Sequence, residues 1–274
     1  MNNIDINKIE ETVSYIKNKI SEVPYAGIIL GSGLGKLVDE VTIEHEIGYE
    51  EIPNFPTSTV KGHSGKLIFG KLANKNVVLL SGRFHYYEGY SMQEVTFPVR
   101  VMKMLGAELL MVSNAAGGMN RSFNVGDLMI INDHINLFPE HPLRGRNDEK
   151  IGPRFPDMTE PYDRNLIAEA KNIAAKNDIL IYEGVYIGLQ GPTFETKAEY
   201  KWLDIIGGDN VGMSTVPEVI VARHMNMKVF GMSVITDIGI REEMNEITHE
   251  EVLEAAENAA PKMALIFKEL LASL

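Results

Sequence analysis

Apolar residues recur along this chain with two spacings, one typical of helices and one typical of strands. Near the N-terminus, Ile9, Val13, Ile16 and Ile20 fall at i, i+4, i+7 and i+11, which predicts an amphipathic helix packed on a core. Short apolar runs of strand-like composition follow, each bounded by polar or glycine residues. They lie at 27–30, 66–72, 77–81, 107–114, 126–133, 184–191 and 227–237. Three polar residues at 74–76 separate the second run from the third, and this spacing predicts an antiparallel hairpin.

Four Ser/Thr-x-x-Glu patterns precede apolar periodic segments and predict the starts of further helices. In this pattern the hydroxyl and the carboxylate satisfy free backbone N–H groups of the first helical turn. The four pairs are Ser91 with Glu94, Thr196 with Glu199, Thr215 with Glu218, and Thr248 with Glu251. Strands and helices therefore alternate through most of the chain.

This alternation predicts an α/β fold class. Because the sequence has no repeat, low-complexity tract or linker, we expect one domain over residues 1–274. Its expected architecture is a single-domain three-layer fold, with a twisted mixed, mainly parallel β-sheet flanked by helices. The segment 132–162 is rich in Pro, Arg and Asp and is predicted to be a long loop, which in a compact domain is usually functional or at an interface.

Composition narrows the possible partners. The formal net charge of −12 argues against nucleic acid or an anionic membrane, because both select for clustered Lys and Arg. The absence of cysteine excludes disulfides, a thiol nucleophile and cysteine-ligated metal. The N-terminus lacks a signal-peptide pattern, and no apolar run reaches the 18 or more residues of a membrane helix. We therefore expect a cytoplasmic protein.

The stretch GIILGSGLGKL, residues 27–37, carries three glycines directly after a strand. The spacing G-x-G-x-G is one residue short of the dinucleotide fingerprint, and Lys36 does not complete a P-loop. Exposed backbone amides and the hydroxyl of Ser32 would suit a single phosphate. The alternative, glycines that only turn the chain, stays open on this stretch alone.

Two further strand ends carry donors of the same kind. Arg83 and His85 follow an apolar strand two residues apart, and the arginine offers a planar donor fork suited to phosphate. Residues 112–120 are small and are predicted to follow a strand, while Ser214 is predicted at a helix start. Since ligands of α/β sheets gather at strand ends, these junctions favour an anion site.

Eight motifs occur in an order and spacing that resemble one family, the trimeric purine nucleoside phosphorylases, which are related to the methylthioadenosine phosphorylases. They are GIILGSGLGKL, GHSGKLIFG, SGRFHYYEGY, VSNAAGG, LRGRNDEKIGPRFPDM, LQGPTFETKAEY, VGMSTVPEVIVARH and THEEVL. The resemblance spans nearly the whole chain and implies a phosphorylase/hydrolase-like fold. It also implies cleavage of purine ribonucleosides and deoxyribonucleosides by inorganic phosphate as co-substrate, with no metal or organic cofactor.

The resemblance assigns roles to particular residues. It implies a phosphate site at Ser32, Arg83, His85, Ala115 and Ser214, and catalytic roles for His85, Glu195 and Asp237. The nucleoside site would comprise Tyr87, Phe155, Phe194, Glu195, Met213, Asp237 and His249. Phe155 would reach the neighbouring subunit's site, so a homotrimer is implied. His63 matches a family histidine near the site, although a packed histidine is the simpler interpretation, and no metal-ligand spacing is present.

Asp237 departs from the pattern of enzymes that act on 6-oxopurines, which usually have asparagine there. An ionised aspartate only accepts hydrogen bonds and suits a 6-amino group, whereas a protonated one can donate to N7. Glu195 favours 6-oxopurines, because its carboxylate accepts from N1–H. Gly239 stands where methylthioadenosine phosphorylases have a second aspartate. We therefore expect an inosine and guanosine phosphorylase with some 6-amino tolerance; the alternative is an adenosine- or methylthioadenosine-preferring enzyme.

Three other classes fit parts of the pattern. A nucleoside hydrolase would commonly use calcium bound by clustered aspartates, and no such cluster occurs near the N-terminus. A non-catalytic nucleoside or phosphate sensor would be expected to lose some of Arg83, His85, Glu195 or Ser214, and all four are present. A nicotinamide-dependent dehydrogenase is suggested only by the glycine loop.

Overall fold

The computed structural model describes residues 5–57, 65–239 and 248–274. Its helices are α1 Ile6–Lys17, α2 Met92–Leu105, α3 Arg164–Lys176, α4 Lys197–Ile205, α5 Val216–His224 and α6 His249–Ala272. Its strands are β1 Ala26–Leu30, β2 Thr42–Gly48, β3 Lys66–Leu72, β4 Lys75–Ser81, β5 Leu109–Gly118, β6 Leu128–Asn136, β7 Ile181–Gly188, β8 Asn210–Gly212 and β9 Lys228–Ile238. These elements confirm the expected single-domain α/β fold.

The strands form one mixed sheet, in the order β2-β3-β4-β1-β5-β8-β7-β6-β9, and β9 also pairs with β5. Strands β5, β8, β7, β6 and β9 therefore close into a ring, while β2, β3, β4 and β1 extend from it. Strand β5 is the junction, since it pairs in parallel with β1 and β9 and antiparallel with β8. The closure joins residues far apart in sequence at one end of the ring.

The core explains why these segments form strands and helices. All five residues of β1 are buried, as expected for a strand covered on both faces. Three residues of the predicted α1 stripe are buried in the main core: Ile9, Val13 and Ile16. The fourth, Ile20, lies beyond the end of the helix and is partly buried against the same core. Helix α6 packs on β9, and α2 packs between α1 and α5. The predicted hairpin is also confirmed, because β3 and β4 pair antiparallel from Lys66–Ser81 to Leu72–Lys75.

Three of the four predicted helix caps are correct. Ser91, Thr196 and Thr248 each form the reciprocal bonds with the glutamate three residues later. For Thr215 and Glu218 the predicted helix start is correct, since α5 begins directly after Thr215, but the predicted cap is absent. Thr215 adopts φ +67° and makes no capping bond, and the Glu218 carboxylate instead binds Arg83.

Two predicted boundaries also need correction. The long segment does not begin at 132, because β6 continues to Asn136 alongside β7. Residues 112–118 do not follow a strand but belong to β5, whose pairing with β9 shifts register between Ala116 and Gly117. Strands β2 and β8 were not predicted, since one is mostly exposed and the other has only three residues.

Candidate active site

A cleft opens where the ends of several strands converge. It brings together ten of the sequence-predicted residues: Ser32, Arg83, His85, Tyr87, Ala115, Phe194, Glu195, Met213, Ser214 and Asp237. They come from the ends of β1, β4 and β9, from within β5, and from the loops that precede α4 and α5. The ring closure of the sheet is what makes these segments neighbours.

The glycine loop after β1 lines the cleft because its glycines allow close packing. A side chain at Gly31 would place its Cβ 2.8 Å from the Cα of Asn114 in β5. At Gly33, φ is +73°, and a Cβ would lie 2.7 Å from that of Ala256 in α6. The loop leads into a 3-10 segment at Gly35–Glu40 and not into an α-helix. Ser32 therefore lines the cleft on a turn fixed by its two neighbours.

Arg83 is held by a buried ion pair. Its Nε and Nη2 donate to the two Glu218 carboxylate oxygens at 3.2 and 3.1 Å, and both side chains are at most 2% exposed. Its Nη1 donates to the Ser113 carbonyl and to Ser214 Oγ, each at 2.9 Å. The planar fork that the sequence suggested for phosphate is thus occupied by Glu218, and Nη1 is the part of the guanidinium that joins the serine.

His85 is oriented by Glu88. One Glu88 oxygen accepts from the His85 backbone N–H at 2.8 Å and lies 3.1 Å from the ring Nδ1. Because a carboxylate can only accept, Nδ1 carries the hydrogen and Nε2 is an acceptor. Burial lowers the pKa of His85 and so favours the neutral ring; the hydrogen bond to Glu88 opposes this shift, and Arg83 adds to it to a smaller extent. The ring stacks on Tyr87 at 4.7 Å.

The other end of the cleft carries carboxyl groups. Asp237 Oδ2 accepts from the Tyr200 hydroxyl at 3.1 Å, and Oδ1 accepts from Thr236 Oγ1 at 3.2 Å. Glu195 lies beside the same tyrosine, and burial is the main cause that raises the pKa of its carboxyl. A side chain at Gly117 would collide with this group, since its Cβ would lie 2.6 Å from the tyrosine hydroxyl.

Sequence reasoning missed several residues of the site. Tyr200 and Thr236 line the cleft beside Asp237, and Asn114 donates to Thr215 Oγ1 at 2.9 Å. Glu218 was interpreted as a helix cap. Tyr200 lies within the motif LQGPTFETKAEY, but its spacing from Glu195 predicts only the helix that follows. No local signal links it to Asp237, which is 37 positions away.

Three predicted residues are not placed at the cleft. Phe155 is 87% exposed, with the Arg154 guanidinium over its ring. His249 is the first residue of α6 and is exposed, and it does not line the cleft. His63 lies outside the described residues. The proposed roles of these three residues remain predictions.

Comparison with known proteins assigns the family. The model of the phosphorylase superfamily matches residues 25–272. The chain belongs to this superfamily. It is 53% identical to purine nucleoside phosphorylase 1 of Geobacillus stearothermophilus over 91% of both chains. Its enzyme class is purine nucleoside phosphorylase, which confirms the activity expected from the motifs.

Solved structures agree with this assignment. The purine nucleoside phosphorylase of Schistosoma mansoni in complex with adenosine superposes with a TM-score of 0.95 at 45% identity, covering 100% of this chain and 99% of that one. A Schistosoma mansoni purine nucleoside phosphorylase in complex with inosine gives a TM-score of 0.94 at 44% identity, covering 100% of this chain and 98% of that one. The enzyme therefore shares both the fold and the full extent of these relatives.

Two further observations concern the described ranges only. In them, no three histidine, cysteine, aspartate or glutamate side chains are grouped as metal ligands would be. None of the helices described is both long and apolar enough to cross a membrane.

Proposed function

We propose that this enzyme uses inorganic phosphate to cleave purine nucleosides, with phosphate at the Ser32 end of the cleft and the purine at the Asp237 end. The observation that carries the proposal is the chemical asymmetry of the cleft. One end gathers donors from Arg83 and serine hydroxyls, and the other gathers carboxyl groups. A ribose between them would have its anomeric carbon facing the phosphate.

The phosphate end supplies neutral hydrogen-bond donors more than net charge. Because Glu218 neutralises Arg83, the pair acts as a rigid dipole that fixes the direction of Nη1. Nη1 already donates to the Ser113 carbonyl and to Ser214 Oγ, so the hydroxyls of Ser32 and Ser214 and the Ala115 backbone N–H would be the donors to phosphate. A bound phosphate dianion would raise the pKa of His85 again, opposing the effect of burial.

This arrangement suits the chemistry of glycosidic cleavage. As the bond to the base breaks, positive charge develops on the ribose, and a phosphate fixed beneath the sugar both stabilises that charge and attacks the anomeric carbon. The departing base gains negative charge, which requires a hydrogen bond or proton at its five-membered ring. Asp237 is the residue proposed to provide it.

The proposed substrates are inosine and guanosine, with some activity on 6-amino nucleosides. Glu195 would accept from N1–H of a 6-oxopurine, and Asp237 would read the 6-position and N7. The S. mansoni enzyme has been crystallised with both inosine and adenosine, which supports a tolerant base site on this fold.

The test is the rate of base release from inosine, guanosine, adenosine and methylthioadenosine, with and without phosphate. We expect release to require phosphate and to yield ribose 1-phosphate. Equal release without phosphate would indicate a hydrolase. A preference for adenosine over inosine of about tenfold or more, which is 1.4 kcal/mol, would overturn the 6-oxo assignment.

Ser32→Ala tests the phosphate end. This change removes one donor, so it should raise the KM for phosphate more than that for inosine. The opposite result would move the glycine loop away from the anion. Asp237→Asn tests the base end by the ratio of kcat/KM for adenosine to that for inosine, which should fall. An unchanged ratio would show that Asp237 does not read the 6-position.

We also propose a cytoplasmic homotrimer in which Phe155 reaches the neighbouring site. Its 87% exposure, unusual for phenylalanine, supports a contact outside the single chain. Phe155→Ala should raise the KM for nucleoside and leave that for phosphate within about twofold, because it removes an apolar wall of the sugar and base site. Sedimentation would report the assembly, and a monomer with full activity would contradict the proposal.

A further inference from the structure

Tyr200 links the two carboxyl groups of the base site. Its hydroxyl donates to Asp237 Oδ2 at 3.1 Å and also interacts with the Glu195 carboxyl. The ring occupies a slot that depends on two glycines. A Cβ at Gly239 would lie 2.1 Å from its ring atoms, and one at Gly117 would lie 2.6 Å from its hydroxyl. The tyrosine is therefore packed into a fixed position between the two acids.

Counting hydrogens shows what this arrangement requires. A tyrosine hydroxyl carries one hydrogen, so it can donate to only one carboxylate at a time. It can still contact a second carboxyl favourably by accepting a hydrogen from it, which requires that second carboxyl to be protonated. Two ionised carboxylates around one hydroxyl would leave one contact repulsive.

The surroundings favour a single added proton. Burial is the largest effect on the pKa of Glu195 and raises it. The nearby Asp237 and Glu199 act in the same direction, while hydrogen bonds from its own backbone and from Tyr200 oppose the shift without cancelling it. Glu199 belongs to the exposed first turn of α4, where Thr196 holds it. Burial and both acids also raise the pKa of Tyr200, so the phenol keeps its hydrogen. Thr236 also donates to Asp237 and has no charge.

We propose that Glu195, Tyr200 and Asp237 share one proton between the two carboxyl groups, and that the bound purine decides which of them carries it. This inference rests on the proposed function of the site. It makes Tyr200 a specificity-determining residue, because its hydroxyl lets the proton pass. Glu195 gives its hydrogen to the tyrosine oxygen as the tyrosine gives its own to Asp237, and the reverse transfer restores the first state.

The two proton positions match the two classes of purine. A 6-oxopurine presents a donor at N1 and acceptors at O6 and N7, which fit an ionised Glu195 and a protonated Asp237. A 6-aminopurine presents an acceptor at N1 and a donor at the 6-position, which fit a protonated Glu195 and an ionised Asp237. Both patterns need the same total of one proton.

Calorimetric binding of hypoxanthine and of adenine tests this count. Each titration is run at pH 7 in HEPES, PIPES and Tris, whose ionisation enthalpies differ, so that the heat reports the protons exchanged with buffer. We expect fewer than about 0.2 protons exchanged for either base, since binding only moves a proton already present. Uptake of about one proton with adenine, or release of about one with hypoxanthine, would overturn the proposal.

Tyr200→Phe tests the linking residue while it keeps the ring in its slot. Loss of the hydrogen bond to Asp237 disfavours its ionised form, which adenosine needs. The ratio of kcat/KM for adenosine to that for inosine should fall about tenfold or more, since bonds to charged groups have this magnitude. An unchanged or higher ratio would refute the role of Tyr200.

Two controls separate the outcomes. Tyr182→Phe removes a hydroxyl that donates to the Ser122 carbonyl outside the cleft, and it should change the ratio less than about twofold. The KM for phosphate should not move in Tyr200→Phe, whereas general damage to the cleft would raise it. If the wild-type enzyme releases no base from inosine with phosphate, the proposed function fails. If the wild-type enzyme does release base from inosine with phosphate, but the calorimetric titrations or the Tyr200→Phe kinetics contradict the expectation, only the shared proton is refuted.

Discussion

Glu218→Gln should be far more destabilising than a similar change at the surface. The substitution keeps the size of the side chain but removes the charge that faces Arg83, so a guanidinium only 1% exposed loses its counter-ion. Breaking a buried pair in this way typically costs about 3–5 kcal/mol, because the remaining charge stays desolvated. Glutamine retains one acceptor oxygen, so we expect a value near 3 kcal/mol.

Glu46→Gln is the matched control. Glu46 binds Lys66 at 3.1 Å, the same separation as between Arg83 Nη2 and Glu218 Oε2, but these side chains are 40% and 45% exposed. Solvent screens such a pair, so the control should lose no more than about 1 kcal/mol. The comparison holds distance constant and varies burial.

Urea unfolding of phosphate-free protein, followed by circular dichroism, measures both changes. All variants are compared at one protein concentration, because subunit assembly would link stability to concentration. If Glu218→Gln loses no more than Glu46→Gln, the reasoning from desolvation is wrong. Added phosphate should stabilise Glu218→Gln more than the wild type, since the anion would replace the missing negative charge. Equal stabilisation would contradict a phosphate site beside Arg83.

Three further predictions follow from burial and packing, two for stability and one for specificity. Burial lowers the pKa of His134 to about 4 from 6.5, so stability should fall as pH drops from 6.5 to 4, by about 3 kcal/mol in total. His134→Asn should reduce the loss of stability between pH 6.5 and 4, measured by urea unfolding. An unchanged dependence on pH would contradict this role of His134. Gly33→Ala should cost about 1–3 kcal/mol through positive φ and a clash with α6, whereas Gly35→Ala, with open space around it, should stay within about 0.5. Equal values in thermal unfolding would refute the packing argument. Gly239→Ala should displace the ring of Tyr200 and lower the adenosine-to-inosine ratio, and an unaltered ratio would show that the slot is not required.

Local patterns predicted the elements whose signals lie within a few residues. The stripe of α1, the β3–β4 hairpin and three capping boxes depend on interactions between near neighbours in sequence, and all are confirmed. The pair Thr215 and Glu218 has the same local pattern and marks a helix start correctly, but it does not form the cap. A partner 135 positions away, Arg83, competes for the glutamate, and a buried arginine binds it more strongly than a helix N-terminus does.

In the candidate site, too, local motifs were predicted correctly and contacts between residues distant in sequence were missed. Motifs predicted ten of the residues that line the cleft, whereas Phe155 and His249 do not line it in the single chain and His63 lies outside the described residues. Sequence reasoning missed Tyr200 because its role depends on interactions with Asp237 and Glu195 and on two glycines that leave room for its ring. Such a contact has no periodicity and no fixed spacing along the chain.

The sequence by itself determined the α/β class, the family and the residue types available for phosphate and purine, because periodicity and ordered motifs are properties of the chain. The tertiary structure decided how those residues act on one another. Closure of β5 against β8 and β9 brings the strand ends together. Arg83 pairs with Glu218 because a charge buried away from water needs an opposite charge beside it. Tyr200 donates to Asp237 because the fold packs these two residues together.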